Sequence, residues 1–220
     1  MADTRTPVLV IGLGRFGRSL ALALAAEGTE VMVIDRRADL AQRFSTRLDN
    51  IIIGDATDID LLREVGADQY TRAVVAIGED EHASILATSH LSQLEVEQIW
   101  AKANSGTHAR ILERVGAHHV IFPEDETGRR ISHLVGSHAL DYLPVDPTWA
   151  AVVIRPARSL TGEPLHSLRA PEKYGVRIVS VKPQHATGYT HAQPDTVLQY
   201  GDTILITGRP EDLTKFLNWA

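Results

Sequence analysis

Short apolar runs alternate with helix-length amphipathic segments along the first part of the chain. Val8-Leu9-Val10-Ile11, Val31-Met32-Val33-Ile34, Ile51-Ile52-Ile53, Ala73-Val74-Val75-Ala76-Ile77, Gln98 to Lys102 and Val120-Ile121-Phe122 read as six strands. Most are apolar at successive positions, as expected of strands buried on both faces of a parallel sheet. Between them, Leu20 to Ala26, Ala38 to Leu48, a segment ending at Val65, Asp80 to Leu94, and Ser105 to Val115 carry helical patterns. Thr57 or Asp58 can cap the third of these, and Gly116 ends the last. A further helix is expected from Asp125 to Leu140. This alternation predicts an α/β fold with a doubly wound, parallel, Rossmann-like sheet over residues 1–140.

The pattern then changes. Residues 141–148 hold Pro144 and Pro147, which forbid helix continuation, and read as a linker. From residue 149 the elements shorten: strands at Ala150 to Ile154, Val176 to Lys182 and Thr203 to Thr207, one helical turn at Pro164 to Leu168, and a closing helix at Glu211 to Leu217. A polar loop from Pro183 to Pro194 separates two of the strands. Residues 149–220 therefore form a small α+β carboxyl-terminal domain, close to the size at which a lone core is marginal. The first domain or a second copy of the chain would supply the missing apolar burial.

Candidate chemistry gathers at the carboxyl ends of the first strands. Gly12, Gly14 and Gly17 stand at G-x-G-x-x-G spacing between a strand and a helix. Gly12 permits the tight turn, Gly14 lets a phosphate approach the backbone, and Gly17 lets helix and strand pack closely. Asp35 ends the second strand, where a carboxylate accepts from a ribose and repels a 2′-phosphate, which disfavours NADP. Arg15 is a cation in the first helical turn, against the macrodipole, unless a polyphosphate turns repulsion into charge-assisted hydrogen bonds. Arg18 lies one turn on. Arg36 can stack on an adenine or simply be solvated. Asp55, Ala56 and Thr57 follow the third strand, where an adenine edge would lie, although capping explains Thr57 equally well. Lys102 ends the fifth strand within reach of a phosphate, and Glu124 follows the sixth as an acceptor for a metal ion or as a helix-opening acid.

Composition narrows the classes. In 220 residues the formal net charge is −6, so nothing points to nucleic acid or a membrane surface. No cysteine is present, which excludes disulfides and thiolate chemistry. Met1 to Thr6 are polar, without an apolar signal core, and no apolar run approaches membrane-spanning length. A cytoplasmic protein is expected. The ten histidines include His118-His119 on opposite faces of a strand and His133 and His138 five apart, which are poor metal pairs. No G-x-S-x-G elbow and no Walker A lysine-serine occur.

Gly-Leu-Gly-Arg-Phe-Gly, Asp35, Gly54-Asp55-Ala56-Thr57, Ala76-Ile77-Gly78, Trp100-Ala101-Lys102-Ala103 and Phe122-Pro123-Glu124 together resemble the gating-ring subunits of Ktr/Trk potassium uptake systems, built from RCK domains. Leu165, Leu168, Lys173-Tyr174-Gly175-Val176 and Gly201-Asp202-Thr203 resemble the carboxyl-terminal module of that family, so the likeness runs from Pro7 to Leu217. The arginine of the glycine motif is similar to the ATP/ADP-binding Ktr branch more than to the NAD-binding Trk branch. The resemblance implies a regulatory subunit, not an enzyme, in an octameric ring of dimers beneath a membrane potassium transporter, at the inner face of the membrane. It implies that Gly12, Gly14, Phe16, Gly17, Ile77 and Gly78 line the nucleotide, that Arg15 meets its terminal phosphate, and that Asp35 holds its ribose. Arg36 and Asp55 to Thr57 would border the adenine, Lys102 would contact phosphate, and Glu124 would sit by Mg²⁺ or Ca²⁺ near the γ-phosphate. In resembling families the carboxyl-terminal module dimerises and can bind cyclic di-AMP, for which Arg169, Val176 and Ile178 are the candidates here. Asn104-Ser105-Gly106-Thr107 departs from the family, being smaller and less aromatic than expected. The competing readings are an NAD-dependent oxidoreductase and a soluble NAD sensor without a transporter.

Overall fold

The computed structural model describes residues 6–219, which divide into two compact units between Pro123 and Glu124. The first unit runs β1 (Val8–Ile11), α1 (Arg15–Ala26), β2 (Val31–Asp35), α2 (Ala38–Phe44), β3 (Asn50–Ile53), α3 (Ile59–Glu64), β4 (Arg72–Val75), α4 (Glu81–Gln93), β5 (Gln98–Lys102), α5 (Gly106–Arg114) and β6 (His119–Ile121). Its sheet has the order β3-β2-β1-β4-β5-β6 with every pair parallel. This is the doubly wound arrangement that the apolar runs predict.

Successive residues of β1 enter different cores, which is why the strand has no polar position. Leu9 and Ile11 pack with Leu62 of α3, Leu91 of α4 and Leu112 of α5. Val8 and Val10 pack with Ala21 of α1 and Phe44 of α2 on the other face. Each large aliphatic side chain so buried contributes about 1.5–3 kcal/mol. The chain order reverses between β1 and β4, so a crevice opens outside their carboxyl ends, the place where such sheets take ligands.

The second unit runs α6 (Pro123–Val135), β7 (Ala139–Asp146), β8 (Trp149–Ile154), α7 (Leu165–Leu168), α8 (Ala170–Tyr174), β9 (Val176–Lys182), β10 (Thr190–His191), β11 (Thr203–Gly208) and α9 (Pro210–Trp219). Its antiparallel sheet has the order β10-β9-β11-β8-β7. Ala150, Val152 and Ile154 of β8, Ile204 and Ile206 of β11, and Leu213 and Phe216 of α9 form its core.

Three expectations change here. The segment 141–148 is no linker, because most of it belongs to β7, which pairs with β8. Pro144 is tolerated because β7 is an edge strand and the register is irregular between Pro144 and Asp146. Pro147 lies in the tight turn between β7 and β8, where the Asp146 carboxylate accepts from the Thr148 N–H at 2.6 Å and its hydroxyl at 2.7 Å. The units also part at 123/124 rather than at 140, since α6 ends at Val135 and is tied to β7. Arg130 donates twice to Asp141, and the rings of His133 and Tyr142 stack 3.7 Å apart. Finally, the loop from Pro183 to Pro194 contains the short strand β10, paired with β9.

Candidate functional site

The loop from β1 into α1 shows three glycines with three different causes. Gly12 has φ +102°, and a Cβ there would press on the Ala76 carbonyl at 3.3 Å. A Cβ on Gly17 would lie 1.9 Å from the Gly12 carbonyl oxygen, so α1 approaches β1 as closely as backbone allows. Gly14 is different. Its φ is −59°, open to any residue, and a Cβ would meet nothing closer than the Ala76 carbonyl oxygen at 3.9 Å. No contact among the described residues requires glycine there, and the open space leaves room for a ligand to approach the backbone closely. Gly14 also occupies the N-cap of α1, where no side chain accepts a hydrogen bond, and the first turn carries Arg15 and no acid. The helix end therefore keeps its N–H groups and positive dipole for an anion. The cradle fits the phosphates of a nucleotide.

Asp35, at the end of β2, is 6% exposed. Its Oδ2 accepts from the Leu13 N–H at 2.5 Å, inside the glycine loop. Its Oδ1 accepts from the Arg37 N–H at 2.8 Å and from Arg37 Nε at 3.2 Å. Burial pushes the carboxyl up, but the hydrogen bonds from Arg37 and Leu13 outweigh it and hold the group below the ordinary aspartate value. The acid expected at a ribose thus also staples the phosphate loop to β2. Arg37, which the sequence reading passed over, is its partner. Arg36 instead reaches from the end of β2 to Asp80 at the N-cap of α4, 3.8 Å away across the end of β1.

The opposite wall follows β4 and β5. Ala76 continues β4 by accepting the register of β1, with its N–H donating to the Ile11 carbonyl. Lys102 is 8% exposed, and a Cβ on Gly78 would lie 2.9 Å from its Nζ. The Asn104 amide donates to the Gly78 carbonyl. Beyond β3, Asp55 accepts from the Thr57 N–H and hydroxyl at 3.0 and 2.8 Å, which holds its carboxyl below the ordinary value. The Thr57 hydroxyl is thereby engaged, and Asp58 caps α3. Ala56 is buried, and Phe16 and Ile77 pack against the two cores.

The remaining candidates belong to the second unit. Glu124 lies in the first turn of α6, in the second unit, beside Asp125 and Glu126. Among the described residues, no group of three or more His, Asp or Glu side chains is placed to hold a metal ion, so no step is assigned to one. In the second unit Arg169 is exposed in a left-handed conformation with φ +50°. Val176 is 1% exposed and Ile178 packs against the same core. The apolar faces expected to receive an adenine are thus already used inside the unit, because β9 turns them toward α8 and α9. Of that trio, only Arg169 presents its side chain outward.

A parallel sheet of this order with a glycine cradle at its switch point defines a Rossmann-type nucleotide-binding domain, followed here by a small α+β domain. Residues 8–123 match the TrkA-N domain and residues 150–220 the TrkA-C domain. The chain belongs to the Ktr/Trk family of potassium uptake proteins. It is 35% identical to Ktr system potassium uptake protein C of Bacillus subtilis, over 94% of each chain. It is 30% identical to Ktr system potassium uptake protein A of the same organism, over 95% of this chain and 94% of that one. Among solved structures, the GsuK channel bound to NAD is similar in fold, with a TM-score of 0.50 at 20% identity. All of this chain aligns there, spanning 39% of the channel chain. Among the described residues no helix is long and apolar enough to cross a membrane.

Proposed function

We propose that the chain is a nucleotide-sensing regulatory subunit of a membrane potassium transporter and has no catalytic role of its own. The observation that carries this reading is similarity to Ktr potassium uptake proteins along both domains, since the Rossmann fold alone serves many activities. The chain acts at the inner face of the membrane through its transporter partner, as a homo-oligomeric ring. ATP and ADP bind in the crevice between β1 and β4, with phosphates on Gly14 and the amino end of α1, and Arg15 near the terminal phosphate. The two nucleotides favour different ring shapes, and that difference in affinity is the free energy available to move the pore.

The test is chromatographic identification of the nucleotide carried by the purified chain, followed by calorimetric titration with ATP, ADP and NAD. The expected result is tighter binding of ATP and ADP than of NAD. Tightest binding of NAD, with the nicotinamide absorbance band growing on addition of alcohols, would instead establish the oxidoreductase.

A further inference from the structure

His108 is the buried titratable group that the nucleotide cradle leaves unexplained. It sits in the first turn of α5, 1% exposed, and its Nε2 is buried with no hydrogen-bond partner. Its Nδ1 accepts from the Asn104 N–H at 3.4 Å. Glu81 Oε1, from the first turn of α4, stands 3.7 Å from the same nitrogen. Asn104 in turn donates its side-chain amide to the Gly78 carbonyl, and Gly78 packs against the Lys102 ammonium. One polar thread thus joins the starts of α4 and α5 to the two loops that form the wall of the crevice opposite Asp35.

We propose that Asn104 and His108 are positioning residues for the nucleotide, which fix the Gly78 turn and the Lys102 ammonium beside it. The proposal rests on the nucleotide-binding reading above. Asn104 holds the Gly78 turn, and with it the Lys102 ammonium, where phosphate is received. His108 holds Asn104 by offering a lone pair to its backbone N–H. Removing either side chain loosens the wall and weakens nucleotide binding.

The experiment is calorimetric titration of ATP into the full chain. Asn104 is exposed, so Asn104→Ala folds, and it is expected to weaken ATP about fivefold to tenfold. His108→Ala removes the acceptor of the Asn104 N–H and is expected to weaken ATP by a similar factor, whereas His108→Asn places an amide oxygen where Nδ1 stands and is expected to recover most of that loss. If the natural chain binds ATP and Asn104→Ala matches it, or His108→Asn recovers nothing that His108→Ala loses, the positioning role is wrong and nucleotide binding stands. If the natural chain binds no nucleotide, both fall.

Discussion

The carboxylate of Asp35 accepts the Leu13 backbone N–H at 2.5 Å, tying the end of β2 to the middle of the glycine loop. One side chain thereby sets the shape of the glycine loop from within the chain. Asp35→Asn keeps the size but offers one oxygen where the carboxylate uses both. It is expected to cost about 1–3 kcal/mol in chemical denaturation, because the donors of Leu13 and Arg37 lose an acceptor within a buried site.

The same carboxylate makes stability depend on pH in a stated direction. Its folded-state pKa lies below the ordinary aspartate value. The unfolded chain therefore binds the proton more readily, and the stabilisation is complete above the unfolded value of about 3.9. It is lost as pH falls through the lower folded value. Urea melts between about pH 6 and about pH 3 should show a steeper acid loss in the natural chain than in Asp35→Asn. Parallel acid limbs would contradict this.

Gly14→Ala and Gly17→Ala should separate binding from folding. At Gly17 the added methyl meets the Gly12 carbonyl at 1.9 Å, so a loss of about 3 kcal/mol or more, or no soluble protein, is expected. At Gly14 the space is open, and the cost is that of alanine at an N-cap, about 1 kcal/mol. The Gly14 variant should remain folded by circular dichroism while ATP binding falls at least about tenfold.

Arg15→Ala should move stability in opposite senses with and without nucleotide. Removing a cation from the first turn of α1 relieves about 0.3–1 kcal/mol of dipole repulsion in the free chain. With ATP bound, the lost charge-assisted contact should lower the melting temperature, and by more than with ADP. Differential scanning fluorimetry of the natural chain and the variant, each free, with ATP and with ADP, checks the signs. Equal losses with the two nucleotides would remove Arg15 from the terminal phosphate.

Self-association should depend on the edge strand of the second unit. Leu143 and Val145 of β7 are 61% and 63% exposed, on a strand with one side unpaired. In the proposed homo-oligomer this strip is expected to be covered by another copy. Light scattering of Leu143→Glu with Val145→Glu should report a smaller species than the natural chain, with the fold of each unit retained.

The six parallel strands of the first unit and the glycine loop could be read from the sequence because their signals are local. A strand buried on both faces must be apolar at successive positions, as in β1, and a helix packed tightly on a strand must lack a side chain at the contact, as at Gly17. The position of Asp35 was legible for the same reason, since it ends a run. Its partners were not. Leu13 lies 22 residues away, and Arg37 was indistinguishable from Arg36 until the backbone turned one toward the carboxylate and the other toward Asp80. Likewise 141–148 reads as a linker because prolines disfavour regular structure locally, whereas β7 exists through its pairing with β8. Whether Val176 faces a ligand or a core, and whether His108 is solvated or sealed between α4 and α5, depends on what packs against it. Composition and spacing determine which elements form, and the packing of distant elements decides which side chains remain available for chemistry.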